Sequence, residues 1–156
     1  MDRDAETALA RLVRSARVAT LATLREGAPN ASLVSVLPDA QARTLWLRLS
    51  RLAWHTQDLA RDARAALLLA EADDARADPQ TLARLTLRGE ARPLAAEDPA
   101  LAELRAAWLT RFPASAVTFE LADLGFWRFA VRDARLVAGL ARTWNVTPER
   151  LWEAVA

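Results

Sequence analysis

Short runs in which apolar and polar side chains alternate, divided by turn residues, constrain the fold of this chain most. Arg43–Leu49 is the clearest run, because leucines recur at every second position, which is the period of a β-strand. The other runs typical of strands are Arg17–Leu24, Asn30–Leu37, Ala65–Ala70, Arg84–Pro93, Ala116–Leu121 and Phe126–Val131. Seven short strands with turn residues between neighbours favour a mostly antiparallel barrel over a parallel sheet.

The same runs also predict how the first two strands are connected and which faces of the later strands are buried. Glycine and proline in Arg25–Pro29 predict a β-hairpin turn between the first two strands. The alternation in Arg43–Leu49 predicts a strand with one face toward the core. The continuous apolar run Ala65–Ala70 predicts a strand buried on both faces.

Helical spacing of apolar residues predicts a helix over residues 2–16 and another after Ser50. Ser50 is predicted to cap the second of these helices, which should end near Arg61 and Asp62. Acidic residues and a proline at its start predict a third helix over Ala95–Thr110, and Thr147-Pro148 predicts a short C-terminal one. The fold class is therefore α+β, mainly β: an antiparallel barrel with flanking helices.

Length and composition exclude several classes of protein. A chain of 156 residues fits one domain, so we expect a single domain over residues 1–156. Cysteine is absent and His55 is the only histidine, which excludes disulfides, thiolate zinc sites and sites built from several histidines, so no metal site is predicted. The basic residues are all arginine and number 21 against 20 acidic ones, which is no nucleic-acid-binding excess. Without a membrane-spanning apolar run or a signal-like start, we expect a cytoplasmic protein with no membrane partner.

The segment Ser50–Leu59 is the most informative for function. It follows a strand directly and begins a helix with a hydroxyl and a guanidinium, Ser50 and Arg51. A helix N-terminus offers free N–H groups and a partial positive charge, and arginine adds a bidentate donor. This combination suits a phosphate monoester, although Ser50 would cap the helix and His55 would pack locally without any ligand.

Several segments in this order and spacing resemble the FMN-binding split-barrel superfamily that includes pyridoxamine 5′-phosphate oxidase. They are Val18–Leu24, Pro29–Ser32, Ser50–Leu59, Arg64–Leu69 and Arg84–Ala91. The Ser-x-Leu-Ala-x-His-Thr-x-x-Leu pattern and the late Arg135–Gly139 are similar to the haem-utilisation branch. The resemblance covers residues 8–145.

The resemblance implies a split barrel and a homodimer with two FMN sites at its interface. It places Ser32 and Val34 at the edge of the flavin ring and directs Arg84 toward the flavin. Trp127 and Arg128 fall in the region that the partner subunit contributes. The residues implied around the phosphate are Arg48, Ser50, Arg51 and Thr56. His55 is a further candidate, because it falls within the same family pattern.

The implied function is that of an FMN-binding oxidoreductase whose substrate the sequence does not identify. The arginine and histidine pair that pyridoxamine phosphate oxidases use near the C-terminus has no counterpart here, so we do not expect that reaction. Haem-degrading relatives carry a later histidine ligand, whereas no histidine follows His55. Two alternatives stay open: a haem-binding or haem-utilisation protein on the same barrel, and a dimeric scaffold without a cofactor.

Overall fold

A computed structural model describes all residues, 1–156, and contains one seven-stranded antiparallel sheet. The strands are β1 (Val18–Arg25), β2 (Ala28–Asp39), β3 (Thr44–Ser50), β4 (Arg64–Ala70), β5 (Arg84–Pro93), β6 (Leu124–Val137) and β7 (Thr143–Val146). Their order is β3-β2-β1-β4-β5-β6-β7, and β3 also pairs with β6. This second pairing closes β1 to β6 into a six-stranded barrel, to whose β6 edge β7 is added. The predicted antiparallel barrel is confirmed.

The β1–β2 hairpin turns on two residues rather than the five predicted. Glu26 and Gly27 have φ angles of 53° and 82°, and Arg25 pairs directly with Ala28. Two consecutive positive φ angles are the requirement of a type I′ turn, whose twist matches that of the strands. Pro29 therefore lies in β2 instead of in the turn.

The burial of two strands differs from the prediction. The inward leucines of β3 lie in the main core as expected, but Trp46 on the opposite face is also buried, in a second apolar cluster with Leu104, Trp108 and Phe126. β3 is buried on both faces because a helix covers its outer side. β4 was predicted to be buried on both faces, but only one face is buried. Leu67 and Leu69 lie in the core, whereas Leu68 between them is exposed.

Four α-helices flank the barrel: α1 (Arg3–Ser15), α2 (Trp54–Arg61), α3 (Leu101–Arg111) and α4 (Pro148–Val155). The first and last pack together, and Arg14 of α1 donates to the carbonyl of Val155 at 3.0 Å. Asp2 and Thr147 provide side-chain caps for α1 and α4. None of the helices is both long and apolar enough to span a bilayer.

Two predictions before β6 are wrong. The helix predicted from Ala95 begins only at Leu101, and the strand predicted over Ala116–Leu121 is replaced by a 3₁₀ helix, Pro113–Glu120, with Leu121 as its C-cap. This segment contacts β3 through Arg48 and Thr118, and β3 offers it no free edge because it is already paired with β2 and β6. The alternating side chains instead place Phe119 against the second apolar cluster.

Candidate functional site

The joint between β3 and α2 carries the residues predicted to bind a phosphate. Ser50 is the last residue of β3; its hydroxyl donates to Asp123 Oδ2 at 2.6 Å and accepts from the backbone N–H of Leu52 at 3.2 Å. α2 begins at Trp54 with Ala53 as its N-cap. The prediction that Ser50 caps the helix is wrong, because Ser50 is the end of β3 and a short turn, which contains Leu52, separates it from Trp54.

The N-terminus of α2 lacks a side-chain cap, so the first N–H groups of the helix have no side-chain acceptor. Arg51, in the turn before the helix, is exposed and takes part in none of the chain's salt bridges. Thr56, in the first turn, is 6% exposed, and its Oγ1 has no hydrogen-bond partner. A phosphate oxygen could accept from all three kinds of donor.

His55 lies beside these groups and is half-buried. Burial lowers the pKa of its imidazole, and the carboxylate of Asp58 opposes that effect without cancelling it. Because the ordinary pKa of histidine is about 6.5, His55 is neutral at pH 7. It therefore adds a neutral donor or acceptor, and no charge, to the joint.

A buried carboxylate ties α2 to the β1–β2 hairpin. Asp58 is 1% exposed and accepts hydrogen bonds from Thr23 at 2.8 Å, Arg25 at 2.9 Å and Asn30 at 3.0 Å. Burial opposes ionisation of Asp58, but the three donors outweigh it, so its pKa is lowered. Arg25 also lies 4.2 Å from the ring centre of Trp54, one turn earlier in the helix. Sequence reasoning missed this network, although an acidic residue directly before the core residue Leu59 was a signal.

Arg48 is held by the 3₁₀ helix rather than turned toward α2. Its guanidinium donates to the hydroxyl and the carbonyl of Thr118 and lies 3.7 Å from the ring centre of Phe119. Burial and, after it, nearby Arg105 lower its pKa. Arg48 and Ser50 thus point to the same side of β3, toward the segment that precedes β6.

The residues predicted at the flavin ring lie on different strands and faces. Ser32 and Val34 alternate with exposed positions of β2, and the side chain of Val34 is in the core. Arg84 begins β5 and donates to the carbonyls of Gln80 and Leu82. Two strands separate β2 from β5 on either side of the barrel, a path of about 14 Å along its wall at the usual strand spacing, and Arg84 faces away from the core because its neighbour Leu85 is buried. One subunit therefore does not bring Arg84 to Ser32.

Trp127 and Arg128 are neighbours on β6 with opposite environments. Trp127 is in the main core, opposite Leu47 of β3. Arg128 is exposed and donates to the carbonyl of Ala42 at 3.0 Å. The indole of Trp127 thus packs inside its own barrel, whereas Arg128 lies on the surface.

An apolar row crosses the outer face of the sheet. Leu33 of β2 is 76% exposed, Val18 of β1 54% and Leu68 of β4 39%. Thr20 of β1 pairs with both Leu33 and Leu68, so the two leucines lie on either side of it. Adjacent exposed apolar residues on neighbouring strands are typical of an interaction surface.

No group of three or more His, Asp or Glu side chains is placed to hold a metal ion.

Comparison with known proteins defines the class that this barrel and joint represent. The family described as pyridoxamine 5′-phosphate oxidase matches residues 5–138. The chain belongs to that family.

Individual relatives carry haem-related names. The non-canonical heme oxygenase HOZ, chloroplastic, of Arabidopsis thaliana is 32% identical over 126 residues, which is 80% of this chain and 36% of that protein. A heme binding protein from Mycobacterium smegmatis is 32% identical, with a TM-score of 0.84 over 98% of this chain and 62% of that one. Campylobacter jejuni ChuZ has a TM-score of 0.83 over 96% and 62% of the two chains, and at 15% identity it shows the fold alone. The chain spans about a third of the Arabidopsis protein's length.

Proposed function

We propose that this protein is a dimeric flavin-binding oxidoreductase that holds the phosphate of FMN at the joint between β3 and α2. The uncapped start of α2, with a free guanidinium at Arg51 and an unpaired buried hydroxyl at Thr56, is the observation that carries this proposal. When bound, the flavin would supply the hydride or electron chemistry.

The side chains of the joint have distinct parts in this proposal. Arg51 would make the charge-assisted contact with the phosphate, and Thr56 would donate its hydroxyl to a phosphate oxygen. Ser50 would act indirectly, because its hydroxyl already donates to Asp123 and so holds the end of β3 in place. Asp58 would keep α2 fixed against the hairpin without touching the ligand.

Arg51→Ala is expected to weaken FMN binding about 10- to 100-fold, because a hydrogen bond to a charged group contributes about 1.5–3 kcal/mol. Riboflavin, which lacks the phosphate, should bind the variant and the wild type about equally. Quenching of flavin fluorescence during titration measures both affinities. Arg61→Ala, at the exposed other end of α2, is the matched control.

Equal losses for FMN and riboflavin in Arg51→Ala would show that Arg51 does not contact the phosphate. If Arg61→Ala weakened FMN binding as strongly, the effect would come from the loss of a positive charge in the protein and not from a contact between Arg51 and the phosphate. Either result would remove the β3–α2 joint as the phosphate site.

The dimer in this proposal uses the apolar row on the outer sheet face. A second copy could cover Leu33, Val18 and Leu68, and it could bring one subunit's β5 near the other's β2, which one subunit alone cannot do. Leu33→Arg should then give a monomer at micromolar concentration, because it places a charge in an apolar interface. Light scattering measures the mass; a wild-type monomer that still holds flavin would contradict the dimeric site.

Haem binding on the same barrel is the second candidate, and two relatives with haem-related names favour it. The absorbance of the purified protein separates the two cofactors, since a flavin absorbs at about 370 and 450 nm and a haem has one dominant Soret band. If haem is bound, titration of His55→Ala with haemin tests the only histidine. Loss of the ligated spectrum would assign it as the iron ligand, and a protein that took up neither group would leave the scaffold alternative.

A further inference from the structure

A cationic groove lies on the outer face of β5, β6 and β7, on different strands from the β3–α2 joint. Its volume is about 710 Å³. Three guanidiniums and a single carboxylate line it, which leaves an excess of two positive charges. The charged lining residues are Arg88, Arg132, Asp133 and Arg135, and the neutral polar ones are Thr86, Asn145 and Thr147.

A β-bulge builds the centre of this groove. Arg88 pairs with Asp133, but the next residue, Gly89, pairs with Val131, so Arg132 is an extra residue on β6. A Cβ on Gly89 would lie 1.9 Å from the backbone oxygen of Ala130, so only glycine allows the strands to approach in this way. Bulges re-aim side chains and occur often beside functional sites.

The bulge brings two guanidiniums to one carboxylate. Arg88 Nε lies 2.6 Å from Asp133 Oδ1, and Arg132 Nε lies 3.3 Å from Asp133 Oδ2. The carboxylate of Asp133 therefore occupies the position between the two guanidinium groups. A ligand carboxylate or phosphate could take the same place, because its oxygens have the same acceptor geometry.

Arg135 supplies the charge that no acidic side chain offsets. It donates to Asn145 Oδ1 at 2.9 Å and Thr143 Oγ1 at 3.3 Å, both neutral groups on β7. These bonds hold the guanidinium in place without neutralising it. The groove thus has two cationic positions, one at Arg135 and one between Arg88 and Arg132.

We propose that this groove binds a small organic or inorganic molecule bearing at least two acidic groups, carboxylates or phosphates. One group replaces Asp133 between Arg88 and Arg132, and the other meets Arg135. The Asp133 carboxylate then competes with the ligand for Arg88 and Arg132. This site is additional to the proposed flavin phosphate site and does not depend on it.

Calorimetric titration of the purified protein with pyrophosphate, citrate and acetate tests the proposal. Pyrophosphate or citrate should bind and acetate, with one acidic group, should bind far more weakly. Arg132→Gln and Arg135→Gln should each weaken binding about 10- to 100-fold. Arg92→Gln removes the same charge from an exposed position of β5 outside the groove and should change affinity less than about twofold.

Asp133→Asn gives the sharpest result. It should tighten binding several-fold, because it frees Arg88 and Arg132 from their internal partner, whereas a purely structural ion pair would not produce tighter binding when broken. Binding of only pyrophosphate would identify a phosphate ligand, and binding of only citrate a carboxylate ligand. No binding of either, equal losses in Arg92→Gln and the groove variants, or no gain in Asp133→Asn would overturn the proposal, whatever the outcome of the flavin titrations.

Discussion

Gly89→Ala is expected to destabilise the protein by about 3 kcal/mol or more, because no rotamer change can relieve a clash with backbone. The added Cβ would lie 1.9 Å from the oxygen and 2.9 Å from the carbon of the Ala130 carbonyl. β5 and β6 would have to separate, although their pairing spans Arg84–Pro93 and is part of the barrel wall. Urea denaturation followed by tryptophan fluorescence measures the free energy of unfolding.

Gly125→Ala is the matched control for that substitution. Gly125 lies on β6, and a Cβ there would meet nothing within 4 Å. Its free energy of unfolding should stay within about 1 kcal/mol of the wild type. Equal stability of the Gly89→Ala variant and the wild type would show that β5 and β6 are far enough apart at this position to accommodate a Cβ.

Asp58→Ala is expected to cost about 2–4 kcal/mol. It removes the only acceptor shared by Thr23, Arg25 and Asn30 and leaves a partly buried guanidinium without its partner. Asp58→Asn keeps one acceptor oxygen and should lose less. Asp62→Ala, at the C-cap of the same helix, removes an ion pair with the exposed Arg64 and should cost far less than Asp58→Ala.

The same carboxylate predicts a pH dependence with a definite sign. The pKa of Asp58 is lowered in the folded protein, so its ionised form stabilises the fold above the unfolded pKa of about 3.9. That contribution is lost as the pH falls through the lower, folded value. The stability difference between wild type and Asp58→Asn should therefore be largest near pH 7 and shrink below about pH 4. A difference that did not depend on pH would show that the charge of Asp58 is not what the network uses.

The flavin and haem hypotheses require different features of this chain. Flavin binding requires a phosphate site, which the uncapped start of α2 could provide. Haem ligation through a histidine has only His55, whose pKa is lowered by burial and which lies on the same helix. Both hypotheses thus place the ligand at the start of α2, and the identity of the bound chromophore decides between them.

Local sequence determined most of the secondary structure. The alternation of Leu45, Leu47 and Leu49 predicted a strand and its inward face, and Thr147-Pro148 predicted the start of α4. The β5 run was predicted over the range that the structure shows, Arg84–Pro93. Such patterns are readable because side-chain periodicity and capping depend on residues only a few positions apart.

Tertiary structure decided what depends on distant partners. Asp123 and Leu124, far along the chain, bind the side chain and backbone of Ser50 and hold it at the end of β3, and α2 starts only at Trp54. β3 is paired with both β2 and β6 and offers no free edge to the nearby segment Ala116–Leu121, most of which forms part of a 3₁₀ helix. The donors around Asp58 and the bulge at Gly89 likewise come from separate strands. Hydrogen-bond partners and close backbone contacts across the barrel arise only when it closes, so a local pattern in the sequence does not identify which residues form them.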